Sequence, residues 1–428
     1  MKKILCLILC VVMMLGVLVS CEDDLIKEAD DLMAENSDKK PVEDVKVELD
    51  FYIISGEGSI DYANKTVANK IRDEFETLYN TTVTMHFVTA EEYEKTLLDA
   101  HPAKGTEEGQ ADYTGKISIA LVNNAELYDE LYERDLLVDL NALYNAKAYS
   151  TLKKQLAKLL PLTEVKETET YLDDKGDEQT RTYTARYVVP NNHVFGTYKY
   201  IVVNKALAKA ANEMDAAQNC HTEEDAAALL ARFNDTHFNN ETVKSVLEAY
   251  NADTTKADIE MSDVVQVLTG NYEDIAAKEA DWYCNIIDVP TATYDDLYSS
   301  CFVVLGDQSL AERAMQILYK INTDTYFRNL LQYGVKDINY KEVVVDGKVV
   351  GINRISNENS TYNMYLKYTG DIFKAHFCLD DEDTAEIERV CIFCTDDACA
   401  KHIYWNEENY QNCVTHVDKA SVPVKSEQ

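Results

Sequence analysis

Between residues 45 and 140 the apolar residues switch period again and again, and that alternation constrains this chain's fold more than any other feature. Val45-Lys-Val-Glu-Leu-Asp-Phe-Tyr-Ile-Ile54 alternates and then turns fully apolar, as a buried strand does. After the turn Ser55-Gly-Glu-Gly-Ser59, the residues Ala63, Val67, Ile71, Phe75 and Leu78 fall at helical spacing. Val83, Met85 and Phe87 alternate again, and Tyr93, Leu97 and Leu98 share one side of a helix over 91–100. Ile117–Val122 is a third apolar strand, and Leu127, Leu131 and Leu136 follow at helical spacing. Strands joined by helices through short connections imply parallel pairing and right-handed crossovers. The expected fold class is therefore α/β.

In open α/β sheets ligands bind beyond the carboxyl ends of the strands. Three turns lie there, beginning at Ser55, Thr89 and Asn123, so Ser55, Glu57, Asn123 and Asn124 are candidate ligand-binding residues. An equally simple account has Gly56 and Gly58 permitting a turn and Asn123 capping the next helix. Gly56-Glu57-Gly58 is no dinucleotide fingerprint, because the third glycine is missing and an acid stands where phosphate would approach.

Past residue 160 the texture changes. Threonine- and tyrosine-bearing runs at 168–171 and 179–183 flank Asp173-Asp-Lys-Gly-Asp177 and read as a polar, exposed hairpin. Residues 188–205 give strand, turn and strand, and helices are expected at 205–217, after Thr222, at 241–251 and after Ser262. Strands at 283–289 and 299–305 precede a long helix from Leu310 and another stopped by Gly334. Asp346-Gly347 between valine-rich runs signals a hairpin.

The N-terminus has a different logic. Lys2 and Lys3 precede an apolar run from Ile4 to Val19, too short to span a bilayer comfortably, so residues 1–20 read as a secretory signal. Leu18-Val19-Ser20-Cys21 resembles a bacterial lipobox, which implies cleavage before Cys21 and acylation of its thiol. Two or more acyl chains, palmitate among them, anchor stably where one is marginal. Residues 21–44 are dense in acid and read as a solvated tether holding the folded part off the membrane. The formal charge of −35 opposes nucleic acid and anionic membrane surfaces, so contact with the membrane is expected through the lipid alone.

Four stretches then carry a family resemblance: Lys116–Leu140, Tyr198–Leu207, Asp281–Leu305, and Arg313–Gly334 with the later Tyr368-Thr-Gly370. In that order, behind a lipobox, they resemble the family 1 extracellular solute-binding lipoproteins of ABC importers in Gram-positive bacteria. The resemblance covers most of residues 45–375. One departure is Asp135, where many members carry glycine. It implies a two-lobed, periplasmic-binding-protein-like (type II) fold with interlobe hinge strands. Lobe 1 is expected at 45–141 and 290–335, lobe 2 at 142–289 and 336–400, and a C-terminal tail at 401–428. It also implies capture of a small polar solute in the interlobe cleft, hinge closure, and delivery to a permease by a monomer without cofactor.

One architecture serves many ligands, so the ligand is argued from chemistry. A sugar needs aromatic faces and paired hydrogen bonds. Tyr198 and Trp282, near expected inter-lobe segments, are the stacking candidates, although each is also a natural core residue. Carbohydrate, as a sugar or oligosaccharide, is favoured, with peptides or another polar metabolite behind it. No Gly-x-Ser-x-Gly, His-Glu-x-x-His or complete phosphate loop is present, Ser150-x-x-Lys153 lacks companion motifs, and no catalytic residue is assigned. The alternatives are a surface sensor or scaffold that kept the fold and lost transport, or a secreted hydrolase. Cys391, Cys394, Cys399 and His402 are ligand types that suit zinc, but their spacing is not a strong pattern. A disulfide or free thiols rank ahead of a metal there. Cys284 and Cys301 stand in apolar strands where cysteine is ordinarily core. Metabolic labelling with a fatty acid should mark the wild-type protein and leave Cys21→Ala unlabelled; undiminished label would overturn the anchor.

Overall fold

The computed structural model describes residues 45–378 apart from 106–110, 173–175, 194–196, 238–239, 250–264, 271, 288–291, 346 and 377. Cys21, the signal, the tether, Cys391, Cys394, Cys399 and His402 lie outside the described residues. Among the described residues no helix is long and apolar enough to cross a membrane.

The expected alternation builds the first lobe. It runs β1 (Val47–Ile54), α1 (Asp61–Tyr79), β2 (Thr81–Val88), α2 (Ala90–Ala100), β3 (Ile117–Val122) and α3 (Ala125–Glu133). β1 pairs in parallel with both β2 and β3, so the two crossover helices are needed to return the chain. α1 buries Ala63, Val67, Ile71 and Phe75 of the stripe read from spacing, while Leu78 at its end is exposed. At Asp135, where the resembling family carries glycine, the backbone is left-handed with φ 55°, a conformation aspartate tolerates.

After a short helix α4 (Ser150–Gln155), strands β4 (Glu164–Leu172) and β5 (Glu178–Arg186) form the expected hairpin. β6 (Val188–Pro190) follows, and the second lobe begins at β7 (Tyr198–Asn204). It continues through α5 (Lys205–Ala210), α6 (Glu223–His237), α7 (Glu241–Ala249), β8 (Val265–Gly270), α8 (Tyr272–Lys278) and β9 (Trp282–Ile286). The chain then returns through α9 (Tyr294–Tyr298) to β10 (Cys301–Gly306), α10 (Ala311–Thr323), α11 (Thr325–Tyr333) and the hairpin β11 (Tyr340–Val345) and β12 (Lys348–Arg354).

The first sheet has the order β2-β1-β3-β10-β6, with β10 antiparallel to both neighbours. Every residue of β3 and of β10 is buried, as central strands covered on both faces require. Phe51 and Phe302 meet edge to face across this core, ring centroids 5.3 Å apart. The second sheet, β8-β7-β9, is wholly antiparallel. Its strands alternate: Ile201 and Val203 join Leu229, Phe233 and Val243 in a separate core, while Tyr198, Tyr200 and Val202 join the core of the first lobe.

Two expectations are corrected. The lobe boundaries differ, because β6 pairs with β10 and Val165 and Ala185 at the root of the β4–β5 hairpin pack on the first core. Residues 142–190 therefore belong with the first lobe. So does the described part of 336–400: Tyr362 Oη donates to Leu331 O (2.8 Å) and Gln332 Nε2 to Met364 O (2.8 Å). The helix expected after Ser262 is not found among the described residues there, where Val265–Gly270 is strand β8. Alternating Val265, Val267 and Thr269 suit a pleated surface better than a helix.

Cys220 and Cys301 are buried free thiols. Burial pushes the Cys301 thiol well up, as befits a core residue.

His101 gives the first lobe a pH dependence. Its ring is 4 % exposed and stacks on Tyr113. Nδ1 lies 2.9 Å from Leu97 O and Nε2 lies 3.0 Å from Ser118 Oγ. A carbonyl only accepts, so Nδ1 carries the proton of a neutral ring. Burial lowers the folded-state pKa below the ordinary value of about 6.5, so below that pH the unfolded chain takes up the proton more readily. Stability supplied by His101 is present above pH ~6.5 and is lost as the pH falls. Thermal melts should show a lower Tm at pH 5 than at pH 7, and His101→Gln should shrink that difference.

Candidate functional site

The carboxyl edge of the first sheet is where the sequence placed four of its candidates, and the register brings them to one edge. β1 and β3 run in step, Tyr52 opposite Ala120, so the turns after Ile54 and Val122 emerge side by side. Ser55 N donates to Val88 O (2.8 Å) and its hydroxyl turns toward the same carbonyl. Gly56 N donates to Asn363 O (2.9 Å), and a Cβ on Gly56 would stand 2.8 Å from that oxygen. The glycine is thus required by a close backbone approach. Asn363 Nδ2 donates to the Glu57 carbonyl (2.9 Å), which leaves the exposed Glu57 carboxylate facing solvent. Asn363 lies 306 residues from Glu57, and no local pattern announces it.

The second turn divides its two asparagines. Asn124 Oδ1 accepts from Leu127 N (2.7 Å), which makes it the N-cap of α3. Asn123 Oδ1 accepts from Asn124 Nδ2 (3.3 Å), and its own Nδ2 is taken by no described group. The capping role considered for Asn123 therefore belongs to its neighbour. Asp295 Oδ1 accepts from Ala125 N (2.8 Å), tying α9 to the same helix end. Behind it Tyr128 and Tyr298 stack at 4.0 Å, Tyr294 lies 4.8 Å from Tyr298, and Tyr294 Oη donates to Asp129 Oδ1 (3.0 Å).

The second lobe contributes a hollow of about 460 Å³ lined by Tyr200, Leu268, Thr269, Asp274, Ala277 and Lys278. Tyr200 and Leu268 are cross-strand partners on β7 and β8. β8 also gives Thr269, and α8 supplies Asp274, Ala277 and Lys278, with Asp274 and Lys278 one turn apart on the same side of the helix. A Cβ on Gly270 would stand 2.7 Å from Asp274 Oδ2, so the glycine lets α8 fold back close over the strand it follows. Burial, then the Asp274 carboxylate, raises the Tyr200 pKa, so its hydroxyl keeps its proton at neutral pH and can donate. Tyr200, Leu268, Ile275 and Trp282 pack with the first-lobe core, so this is the face of the second sheet that meets the first lobe.

Trp282 flanks the hollow without lining it: its half-buried ring carries Lys278 Nζ 5.9 Å from its centroid, and Lys278 is shared with the hollow. Tyr198 is fully buried, with no face open to a ligand. Its strand neighbour two residues on, Tyr200, borders the hollow instead. The period of two that put both tyrosines on one face was visible in the sequence, and so was the Asp274–Lys278 spacing. Chemically the hollow offers an apolar floor, hydroxyls, a carboxylate and an ammonium, a set that holds a neutral polar molecule.

No family model matches the chain, and no curated protein does. Among solved structures it is similar to the N-glycan transport solute binding protein NgtS of Streptococcus pneumoniae, at 15 % identity over 80 % of this chain and 82 % of that one, TM-score 0.45. The same protein in complex with Man5GlcNAc is 14 % identical over 86 % of this chain and 88 % of that one, TM-score 0.39. A sugar transporter of Rhizobium etli in an open conformation is 9 % identical over 87 % and 98 % of the two chains, TM-score 0.25. These are distant likenesses.

The two asparagines should separate by experiment. Asn124→Ala should cost about 1 kcal/mol in denaturant unfolding through loss of a cap, while Asn123→Ala stays within about 0.5 kcal/mol of wild type.

Proposed function

We propose that this chain is a membrane-anchored extracellular solute-binding protein that captures a small polar solute between its lobes and hands it to an ABC permease. The observation that carries this reading is the hollow on the inner face of the second sheet, where an aromatic edge, a hydroxyl and a pair of opposite charges surround one space. The turns of the first sheet would close over it, with Ser55, Glu57 and Asn123 supplying polar contacts and Trp282 an apolar wall. Lipidation of Cys21 and the tether at 21–44 would keep the body at the outer face of the membrane, within reach of a permease.

Carbohydrate is the favoured ligand. A sugar ring presents a C–H face that rests on an aromatic surface and hydroxyls that both donate and accept. Asp274 and Lys278 can take adjacent hydroxyls from opposite sides. Glu57 and Asp295 on the opposite edge are carboxylates, and the whole chain is strongly acidic, which selects against an anionic sugar. Nothing in such a cycle breaks a covalent bond; the ligand acts by binding the closed arrangement better than the open one.

A thermal-shift screen over neutral oligosaccharides, peptides and polyamines would find the probe, and calorimetry with scattering would test it. The best oligosaccharide should lower the radius of gyration and be recovered intact. Trp282→Ala should weaken it by about 1–3 kcal/mol with the ligand-free melting temperature checked alongside. An oligosaccharide cleaved during the titration would favour the hydrolase, and unchanged affinity in both Trp282→Ala and Asn123→Ala would move the cleft elsewhere.

A further inference from the structure

The hairpin of β4 and β5 stands apart from both main sheets, and among the described residues neither strand pairs with a third. Each strand is nine residues long, the register from Glu164–Arg186 to Leu172–Glu178 is unbroken, and residues 178–183 are all exposed. Only the root is covered. Leu140 N donates to Arg186 O (2.8 Å) and Arg186 N donates to Asp139 Oδ1 (2.9 Å), so the backbone of Arg186 points away from β4. Backbone direction alternates along an antiparallel strand, so Thr184, Thr182, Thr180 and Glu178 turn their N–H and C=O groups to that same outer edge. Among the described residues no backbone bond from outside the hairpin reaches them. Exposed edges are ordinarily blunted by lysine, proline or a bulge, and β5 has none of these. Two strands alone are marginal in water, so further pairing stabilises them.

We propose that the outer edge of β5 pairs antiparallel with the same edge of a second copy of this chain, giving a four-stranded sheet β4-β5-β5-β4 about a two-fold axis at Thr180. Charge selects both the edge and the register. On β4, an axis at Lys166, Glu167 or Glu169 sets that residue against itself, and an axis at Thr168 sets Glu167 against Glu169. On β5, an axis at Arg181 opposes two guanidinium groups. An axis at Thr182 or Tyr183 drives the second copy's strand onto Leu140, which already holds Arg186. An axis at Gln179 runs the seam past Glu178 into the turn. With the axis at Thr180, Gln179 of one copy lies opposite Arg181 of the other, Glu178 opposite Thr182, and Asp177 opposite Tyr183. Asp177 then meets a tyrosine hydroxyl directly across and the Arg181 guanidinium on the diagonal. Arg181 is set in place beforehand, because Glu169 pairs with it (2.6 Å) and it lies over the Tyr171 ring, 5.6 Å from the centroid. Glu178, Thr180 and Thr182, whose backbones face outward, exchange ladder bonds with Thr182, Thr180 and Glu178 of the second copy. This contact is independent of solute capture, and it replaces the monomer that the family resemblance implies.

The test uses the full-length chain purified in mild detergent. Residues opposed in a hydrogen-bonded antiparallel pair have Cα atoms about 5.5 Å apart, within reach of a disulfide. Under mild oxidant Thr180→Cys should therefore form a covalent dimer. Thr182→Cys, which faces Glu178, should match the background that the wild-type cysteines give, and the double variant Glu178→Cys/Thr182→Cys should crosslink again. No crosslink above wild type at Thr180→Cys, or equal crosslinking at Thr182→Cys, would overturn the proposed seam. Sedimentation velocity without oxidant is the second measurement. Wild type should pass from one copy to two as its concentration rises. Thr180→Pro removes an N–H that the hairpin itself does not use, and Asp177→Lys sets like charges across the diagonal. Each should weaken self-association at least about tenfold. Asp177 stands in an exposed turn, so its variant decides the matter even where proline disturbs the strand. A single copy of wild type at every concentration, or a dimer indifferent to both variants, would overturn the inference.

Discussion

The antiparallel pairing of β10 with β3 is the contact on which the rest of the architecture depends. Val303 lies opposite Ala120 at the centre of the first sheet, with β6 on the far side of β10. Between β6 and β10 the chain leaves the first sheet, builds the second, and comes back to the first lobe at α9, where Asp295 accepts from Ala125 N. The excursion is the second lobe. The chain leaves the first sheet after β6 and rejoins it at the neighbouring strand β10, with Cys301 opposite Pro190.

That pairing also decides where polar chemistry collects. Apolar residues of β3 and β10 fill the centre, so polar side chains are pushed to the strand ends and the turns beyond them. Asn123 and Asn124 lie there, and Asp295 reaches the next residue, Ala125, because β3 ends where β10 begins. The hollow of the second lobe arises similarly: α8 must turn back over β8, Gly270 permits it, and Asp274 and Lys278 arrive over Tyr200. The C-terminal segment after β12 then covers the first turn through Asn363 and reaches Asn192, beyond β6, through Asp371. One strap contacts both the expected ligand edge and the chain beyond β6.

Much of this was legible before the structure. The strands and helices from 47 to 133 follow from period alone, because each buries a face whose spacing is written locally. The Ser55 and Asn123 turns follow from the strand-end rule. The misplacements share one cause. Ser262 looks like a helix cap, but the pairing of Val265–Gly270 with β7 overrides local preference. Residues 142–190 and 336–375 carry no mark of which lobe they join, since that is settled by β6 finding β10 and Tyr362 finding Leu331.

The sequence by itself determined the α/β class, the strongly acidic character and the residues at the strand ends, because these depend on composition and on neighbours within a few residues. Only the tertiary structure decided that Tyr200 rather than Tyr198 borders the hollow, although both stand on the same face of β7. Only it decided that Asn124 caps a helix while Asn123 accepts from its neighbour's amide, and that Asn363 roofs Gly56. Those outcomes turn on contacts between residues far apart in the chain, and burial at such contacts is a property of the packed whole that no local pattern encodes.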